Sequence, residues 1–330
     1  MLSTRFTRLV GCSVPIQLAG MGRVLTAELA AAVSEAGGLG MVTDTGAGQP
    51  ALEAKLNGIR ERTARPFGVN FLIPILDREN IRMAAGRAKV CDFFWGEPDR
   101  ALVDLVHSAG ALASWQVGSL REALAARDAG CDFIIAQGIE AGGHIRGKIG
   151  VLALLNEVLD AVDVPVLAAG GIGSGRSLAA VLAAGASGAR MGTRFIATRE
   201  SAAHPSYIAA LIAARSEDSI RSTRHSVNCE LCPSTHGVLA SAVEAADRLG
   251  AEIAGEFQSA DGKTRSIPKF AGFLPDRTTL GHIEAMALYA GQSVGSVREV
   301  TPAADVVREV AERAEQLLKT WLGEPAAPTR

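Results

Sequence analysis

Residues 165–195 read Pro165-Val166-Leu167-Ala168-Ala169-Gly170-Gly171-Ile172-Gly173-Ser174-Gly175-Arg176, then Ser177-Leu178-Ala179-Ala180-Val181-Leu182-Ala183-Ala184-Gly185-Ala186, then Ser187-Gly188-Ala189-Arg190-Met191-Gly192-Thr193-Arg194-Phe195. The first block is an apolar run without alternation, as expected of a parallel strand covered on both faces. Gly170, Gly171 and Gly173 follow at its C-terminal end. Glycines there let backbone N–H groups approach an anion, and the next helix turns its positive N-terminus the same way. Residues 189–191 form a second buried strand that ends at Gly192-Thr193. Two adjacent strand ends that both finish in anion-friendly loops match the phosphate site of many (β/α)8 barrels, after strands seven and eight. The plainer reading is two ordinary βα turns.

Upstream, the same unit repeats. Strands are expected at 15–22, 39–42, 66–72, 89–95, 111–117 and 132–137, each followed by helix-like sequence, although the third helix is poorly marked. Thr26 is a candidate N-cap, and Gly130 a helix stop. Eight alternations favour a closed barrel, a (β/α)8 TIM barrel, over an open doubly wound sheet. Gly20-Met21-Gly22 is not continued into the glycine pattern of a dinucleotide fold.

The chain has 330 residues, 48% of them apolar, and a formal net charge of −2. That length and apolar share support a large core with one elaboration. No basic tract suggests nucleic acid, and no run of about 20 apolar residues suggests a membrane span. No apolar signal core is seen, and the five cysteines are scattered; both features fit a reducing cytoplasm better than a disulfide framework.

Residues 215–295 break the rhythm. A strand is expected near 221–227 and helices at 237–250 and 278–290, which makes a small, mostly helical lid inserted after strand eight. Residues 302–322 have the pattern of a long amphipathic helix. The expected division is a barrel at 1–214, an inserted lid or substrate domain at 215–295, and a returning helix at 296–330 that ends in a frayed, proline-bearing tail from Gly323.

Several polar residues stand where a barrel puts its chemistry. Asn70 interrupts an apolar strand near its end, a position disfavoured structurally but suited to a ligand that needs both donor and acceptor. Gln116 and Gln137 end strands five and six. His144 follows strand six among Gly142, Gly143 and Gly147, where few side chains surround it. An imidazole there titrates near neutral pH and can take a proton from carbon or oxygen. Its plainer reading is an exposed loop histidine. His225, Cys229, Cys232 and His236 have spacings that could hold tetrahedral zinc. Against this, Cys-x-x-Cys pairs also arise by chance and no second knuckle is present. They are read as packing or surface residues, and no metal is assigned. Cys91 and Cys131 lie on expected strands and are read as core.

Ala136-Gln137-Gly138-Ile139-Glu140-Ala141-Gly142-Gly143-His144, Ala168-Ala169-Gly170-Gly171-Ile172 and Met191-Gly192-Thr193-Arg194-Phe195 together resemble the nitronate monooxygenase family. Pro66-Phe67-Gly68-Val69-Asn70 and Tyr289-Ala290-Gly291-Gln292 resemble it too. The resemblance runs from about Pro15 to Gln292 and is weak within 212–273. It implies an FMN-dependent barrel with a lid, acting on alkyl nitronates and nitroalkanes with molecular oxygen. By position, Ala19, Gly20 and Met21 would line the isoalloxazine through backbone atoms. Asn70, Gln116 and Gln137 would bond the ring or ribityl chain. Gly142, Gly170, Gly171, Gly192 and Thr193 would hold the phosphate. His144 would act as base on a nitroalkane or orient a nitronate. Substrate activation is then the protein's task and redox chemistry the cofactor's. Two alternatives stand beside this reading. One is an FMN-dependent NAD(P)H reductase of enoyl thioesters or quinones. The other is a non-redox barrel that binds a phosphorylated ligand.

Overall fold

The computed structural model describes residues 2–259 and 262–321. Its strands are β1 (Ile16–Leu18), β2 (Gly40–Thr43), β3 (Phe67–Leu72), β4 (Val90–Phe94), β5 (Leu112–Val117) and β6 (Phe133–Gln137). After these come β7 (Gly143–Ile145), which stands outside the barrel, then β8 (Val166–Ala169) and β9 (Gly188–Met191). The eight barrel strands are all parallel, in the order β1-β9-β8-β6-β5-β4-β3-β2. A parallel bridge from Gln17 to Leu39 brings β1 to β2 and closes the ring. This is the (β/α)8 barrel that the sequence pattern predicts, with β8 and β9 as its seventh and eighth strands. Every barrel strand is buried along nearly all of its length, hence the apolar runs without alternation. Phe71, Phe93 and Trp115 stack in succession across β3, β4 and β5.

Helix ends follow local chemistry. Thr26 accepts the Leu29 N–H at the start of the helix Ala27–Glu35, and Gly130 ends Leu120–Ala129 in a left-handed conformation. The poorly marked third helix is the short Arg78–Ala85, capped by Asp77 and preceded by a 3₁₀ turn at Ile73–Ile75. The long helix Ala303–Trp321 packs on Gly175–Ala183, and Ala303, Val306, Val307, Val310 and Ala314 join the barrel core. The tail from Gly323 lies outside the described residues.

The inserted segment corrects the helical expectation. Among the described residues it contains β10 (Ser219–Ser222), β11 (Thr235–Leu239), β12 (Ile253–Gln258), β13 (Thr264–Pro268) and β14 (Leu280–Gly281), with one α-helix at Ala240–Arg248. One three-stranded sheet has the order β10-β11-β7 and the other β13-β12-β14. No α-helix forms over 278–290, where the chain makes a 3₁₀ turn at Ile283–Ala285. Backbone groups there pair outward instead: His282 N–H donates to Ala254, Ala290 N–H to Gly237, and Leu288 accepts from Leu239. Apolar spacing near 3.6 was present, but non-local pairing overrides it. Ala285, Met286, Ala287 and Leu288 thereby join a second apolar core with Tyr207, Leu211, Val238 and Val294.

Arg23, in the loop after β1, ties the barrel to this segment. Its guanidinium lies 2.7 Å from the Asp276 carboxylate and over the rings of Phe257 and Phe273. Among the described residues, no helix is long and apolar enough to cross a membrane.

Candidate active site

A cavity of about 440 Å³ opens at the C-terminal ends of the barrel strands and is roofed by residues of the insertion. All twelve residues singled out in the sequence line it: Ala19, Gly20, Met21, Asn70, Gln116, Gln137, Gly142, His144, Gly170, Gly171, Gly192 and Thr193. Parallel strands explain this, because their C-terminal ends all open on one face.

The glycine turns leave room for a ligand. Gly170 and Gly171 both have positive φ, at 104° and 69°. A Cβ on Gly171 would press to 3.2 Å on Glu140, and one on Gly192 would lie 3.3 Å from Ala19 and from Met21. A Cβ on Gly20 would collide with the Asn70 side chain. Gly142 is small for another reason: a Cβ there would come 2.6 Å from the Gly291 nitrogen, where the insertion crosses the barrel rim. The Thr193 hydroxyl accepts the Gly291 N–H at 3.0 Å, which fixes the same crossing. Gly173 departs from expectation. Its N–H donates to Ser177 Oγ at 3.2 Å, as does that of Ser174, so this part of the loop caps its own helix. Gly170, Gly171 and Ile172, all on the cavity wall, are the loop's remaining candidates.

The barrel floor is polar. Asn70 donates to Asp92 Oδ2 at 2.7 Å, and Ser114 to Asp92 Oδ1 at 2.9 Å. Arg190 donates to Gln17 at 3.2 Å and to Gln116 at 2.6 Å, and its Nη2 lies 2.7 Å from Asp92. Asn70 and Gln116 are thus held by one buried charge pair, and Arg190 itself reaches the cavity wall. Sequence reading missed Asp92 and Arg190. The available signal was the one used for Asn70, a polar residue inside an apolar strand.

Gln137 works on backbone. Its amide donates to the His144 carbonyl at 3.0 Å and accepts the Arg146 N–H at 3.0 Å, so it pins the middle and the C-terminal end of β7. That strand pairs with β11, with His144 opposite His236. The His144 ring sits edge-on to Trp95, His236 and Tyr289, and its Nε2 is 3.1 Å from Cys229 Sγ. His144 is therefore a packed wall residue, not an open loop histidine. Burial, with His236 nearby, lowers its pKa to about 3, well away from the near-neutral titration expected of a free imidazole. Burial likewise lowers His236 to about 4. Arg146 turns away from the cavity, to Glu122 at 2.8 Å and Glu97 at 3.3 Å.

Cys229 and Cys232 are paired as a disulfide, where packing or surface residues were expected; Cys12, Cys91 and Cys131 are free, the last two buried. His225 faces elsewhere, toward the Ala285 carbonyl at 3.4 Å. Tyr289, on the cavity wall, keeps a buried hydroxyl that finds no partner among the described residues.

A barrel mouth with paired glycine turns on adjacent strands, polar amides over the floor and one histidine in the wall narrows the comparison. A family model described as nitronate monooxygenase matches residues 3–228. The chain belongs to the nitronate monooxygenase family. This is a family of flavin-dependent oxidoreductases.

The chain is 39% identical over 209 residues to a (3aS,4S,5R,7aS)-5-hydroxy-7a-methyl-1-oxo-octahydro-1H-indene-4-carboxyl-CoA dehydrogenase of Rhodococcus jostii, in an alignment covering 61% of this chain. That alignment spans 57% of the relative's own length, as does the one with its Mycobacterium tuberculosis counterpart. Among solved structures, FabK from Thermotoga maritima superposes with a TM-score of 0.78 at 28% identity, covering 98% of this chain and 99% of its own. The nitroalkane oxidase of Streptomyces ansochromogenes superposes with a TM-score of 0.74 at 29% identity, covering 96% and 100%.

The cavity suits a flavin on this chain's own features. Left-handed glycines on the cavity wall leave no room for a side chain against the loop after β6, and the Arg190 guanidinium and the carboxamides of Asn70 and Gln116 reach the wall deeper in. No glycine motif for an adenosine half follows β1.

Proposed function

We propose that this member of the nitronate monooxygenase family binds FMN and oxidises alkyl nitronates, and nitroalkanes after deprotonation, with molecular oxygen. The observation that carries the reading is the position of His144 in the wall of the same cavity as the glycine turns of β8 and β9. Gly170, Gly171, Gly192, Thr193 and Gly142 would hold the ribityl phosphate, and backbone atoms of Ala19, Gly20 and Met21 would line the ring. Asn70 and Gln116 would meet the cofactor's polar edge, braced by Asp92 and Arg190. Gln137 would act partly as a positioning residue, since its amide already holds the His144 backbone. Bound FMN would supply the electron-accepting chemistry, which no side chain here can provide.

The chain's own tasks are proton transfer, orientation and exclusion of water. A ring nitrogen of neutral His144 accepts the carbon-bound proton of a nitroalkane, or donates a hydrogen bond to the oxygen of a preformed nitronate. Residues 215–295 act as the lid and substrate side, placing Cys229, Leu231, Leu274 and Tyr289 over the cavity. The apolar part of that roof suits an alkyl chain.

A second reading has specific support in the superposition on FabK and in the CoA-thioester named for the Rhodococcus relative. In it, NAD(P)H reduces the same bound FMN, and an enoyl thioester or quinone is the acceptor. The non-redox phosphate-binding barrel does not survive the family assignment. Anaerobic addition of NADH, NADPH or a nitronate, followed by the flavin spectrum, separates the two. Bleaching by nitronate alone supports the first reading. Rapid bleaching by a pyridine nucleotide, with nitronate inert, replaces it with the second.

A further inference from the structure

His144 Nε2, Cys229 Sγ, Cys232 Sγ and a ring nitrogen of His236 form a cluster in which all ligand-type atoms lie within 4.8 Å of one another. This is not the set that sequence spacing suggested. His225 is turned away to Ala285, and His144, 85 residues before Cys229, takes its place. The two histidines come from β7 and β11, which pair with His144 opposite His236. The two cysteines come from one tight turn, in which Cys232 N–H donates to the Cys229 carbonyl at 3.1 Å.

The spacing of these atoms is informative. Tetrahedral zinc, with Zn–S near 2.3 Å and Zn–N near 2.0–2.1 Å, places its N and S ligands roughly 3.5 Å apart. Here the N–S separations are 3.1 Å for His144 to Cys229, 3.5 Å for His236 to Cys232, and 4.0 Å for His144 to Cys232. Two borderline nitrogens and two soft sulfurs select zinc over hard cations such as calcium or magnesium. Three of the four residues are partly buried and His236 is fully buried, so the site is shielded without being sealed.

We infer that, with Cys229 and Cys232 reduced, this cluster holds one zinc ion through Cys229, Cys232, His144 and His236. The disulfide and the metal then exclude each other. A dithiol reductant delivers two electrons and two protons to the Cys229–Cys232 bond, giving two thiols, and is itself oxidised to a disulfide. Zinc displaces the two thiol protons and takes the two neutral imidazoles as its remaining ligands. Four protein ligands leave no open position, so the ion is closed to substrate. One consequence rests on the proposed role of His144: with its Nε2 on zinc, this residue can no longer accept a proton. The zinc form is then an off state for nitroalkane oxidation, and the disulfide form is available for it.

The test uses the full-length protein, reduced with a dithiol, given zinc and freed of excess by gel filtration. Elemental analysis should find about one zinc per chain, and none after disulfide formation. Cobalt in place of zinc should give the intense visible bands of a tetrahedral site and a thiolate-to-cobalt charge-transfer band. Cys229→Ser, Cys232→Ser and His236→Ala should each lose the metal, whereas His225→Ala should retain it. Circular dichroism of each variant distinguishes lost binding from lost folding. Substoichiometric zinc in the reduced wild type, zinc retained equally by the oxidised protein, or a His144→Ala variant with full zinc content and unchanged cobalt bands would overturn the site. Zinc content is read without substrate, so a failure of the nitronate reading leaves this result standing. Nitroalkane turnover, at least tenfold lower in the zinc form and restored by chelation, tests the off state separately; equal turnover in both forms would reject it.

Discussion

Arg190 and Asp92 face each other inside the barrel at 2.7 Å, with side-chain exposures of 3% and 0%. They meet as a close ion pair, and their remaining polar atoms hold Gln17, Gln116, Asn70 and Ser114. Removing one partner strands the other charge in a dry interior. Asp92→Ala should therefore lower the unfolding free energy by about 3–5 kcal/mol in denaturant titration. Asp92→Ala combined with Arg190→Met should recover part of that loss, because no bare charge is left. Wild-type stability in Asp92→Ala would mean that water reaches the pair.

The phosphate assignment is tested most cleanly at Gly192. Substituting Gly171 strains its left-handed backbone whatever binds there, so a loss of flavin in Gly171→Val alone would be ambiguous. Gly192 has a negative φ, and a methyl group meets only Ala19 and Met21 at 3.3 Å. Gly192→Ala should fold normally and release FMN at least tenfold more readily, as read by flavin fluorescence on dilution. Unchanged FMN affinity in this variant would remove Gly192 from the cofactor site.

The chromophore itself should be FMN. Mass spectrometry of the heat-released flavin is expected to show a single terminal phosphate and no adenosine half, in line with the paired glycine turns of β8 and β9. FAD in that fraction would contradict the assignment.

His144→Ala separates proton transfer from binding. A nitroalkane must lose a carbon-bound proton first, and a nitronate has already lost it. Turnover of the nitroalkane should fall by roughly 10²–10⁴-fold, the usual size of a general-base contribution. Turnover of the preformed nitronate should fall much less. Equal losses on both substrates would make His144 a binding residue and not a base.

Asp276 connects the insertion to Arg23, and its effect should depend on pH. Burial raises its pKa, but the Thr278 hydroxyl and the Arg23 guanidinium outweigh this and hold it below the ordinary 3.8. The folded value lies below the unfolded one. The carboxylate's contribution is thus fully present above about pH 4 and is lost as pH falls through the folded value. Asp276→Asn should cost about 1.5–3 kcal/mol at pH 7, the range for hydrogen bonds to a charged group. The gap between wild type and variant should narrow below pH 4 in thermal melts. A gap that stayed constant down to pH 3 would assign the loss to packing.

Much of the barrel was legible in the chain. Buried parallel strands are short apolar runs, βα turns carry glycine, and helix starts carry Thr, Ser or Asp, so each unit announces itself within about 25 residues. The cavity residues were legible for a related reason. A parallel barrel brings every strand end to one face, so Asn70, Gln116, Gln137 and the glycine turns converge without any knowledge of their contacts. The partners of those residues were not legible. That Arg190 meets Asp92, that Gln137 spends its amide on β7, and that Cys229 lies against His144 are all pairings between distant positions with no local periodicity. The insertion shows the same limit in its secondary structure. Residues 278–290 have helical spacing, yet their backbone groups find better partners on β11 and β12, and a strand pairing across tens of residues leaves no mark in either segment alone. Local chemistry determined the units and the face on which the site would lie. The tertiary structure alone decided which side chains meet there, because burial and pairing are properties of the assembled core.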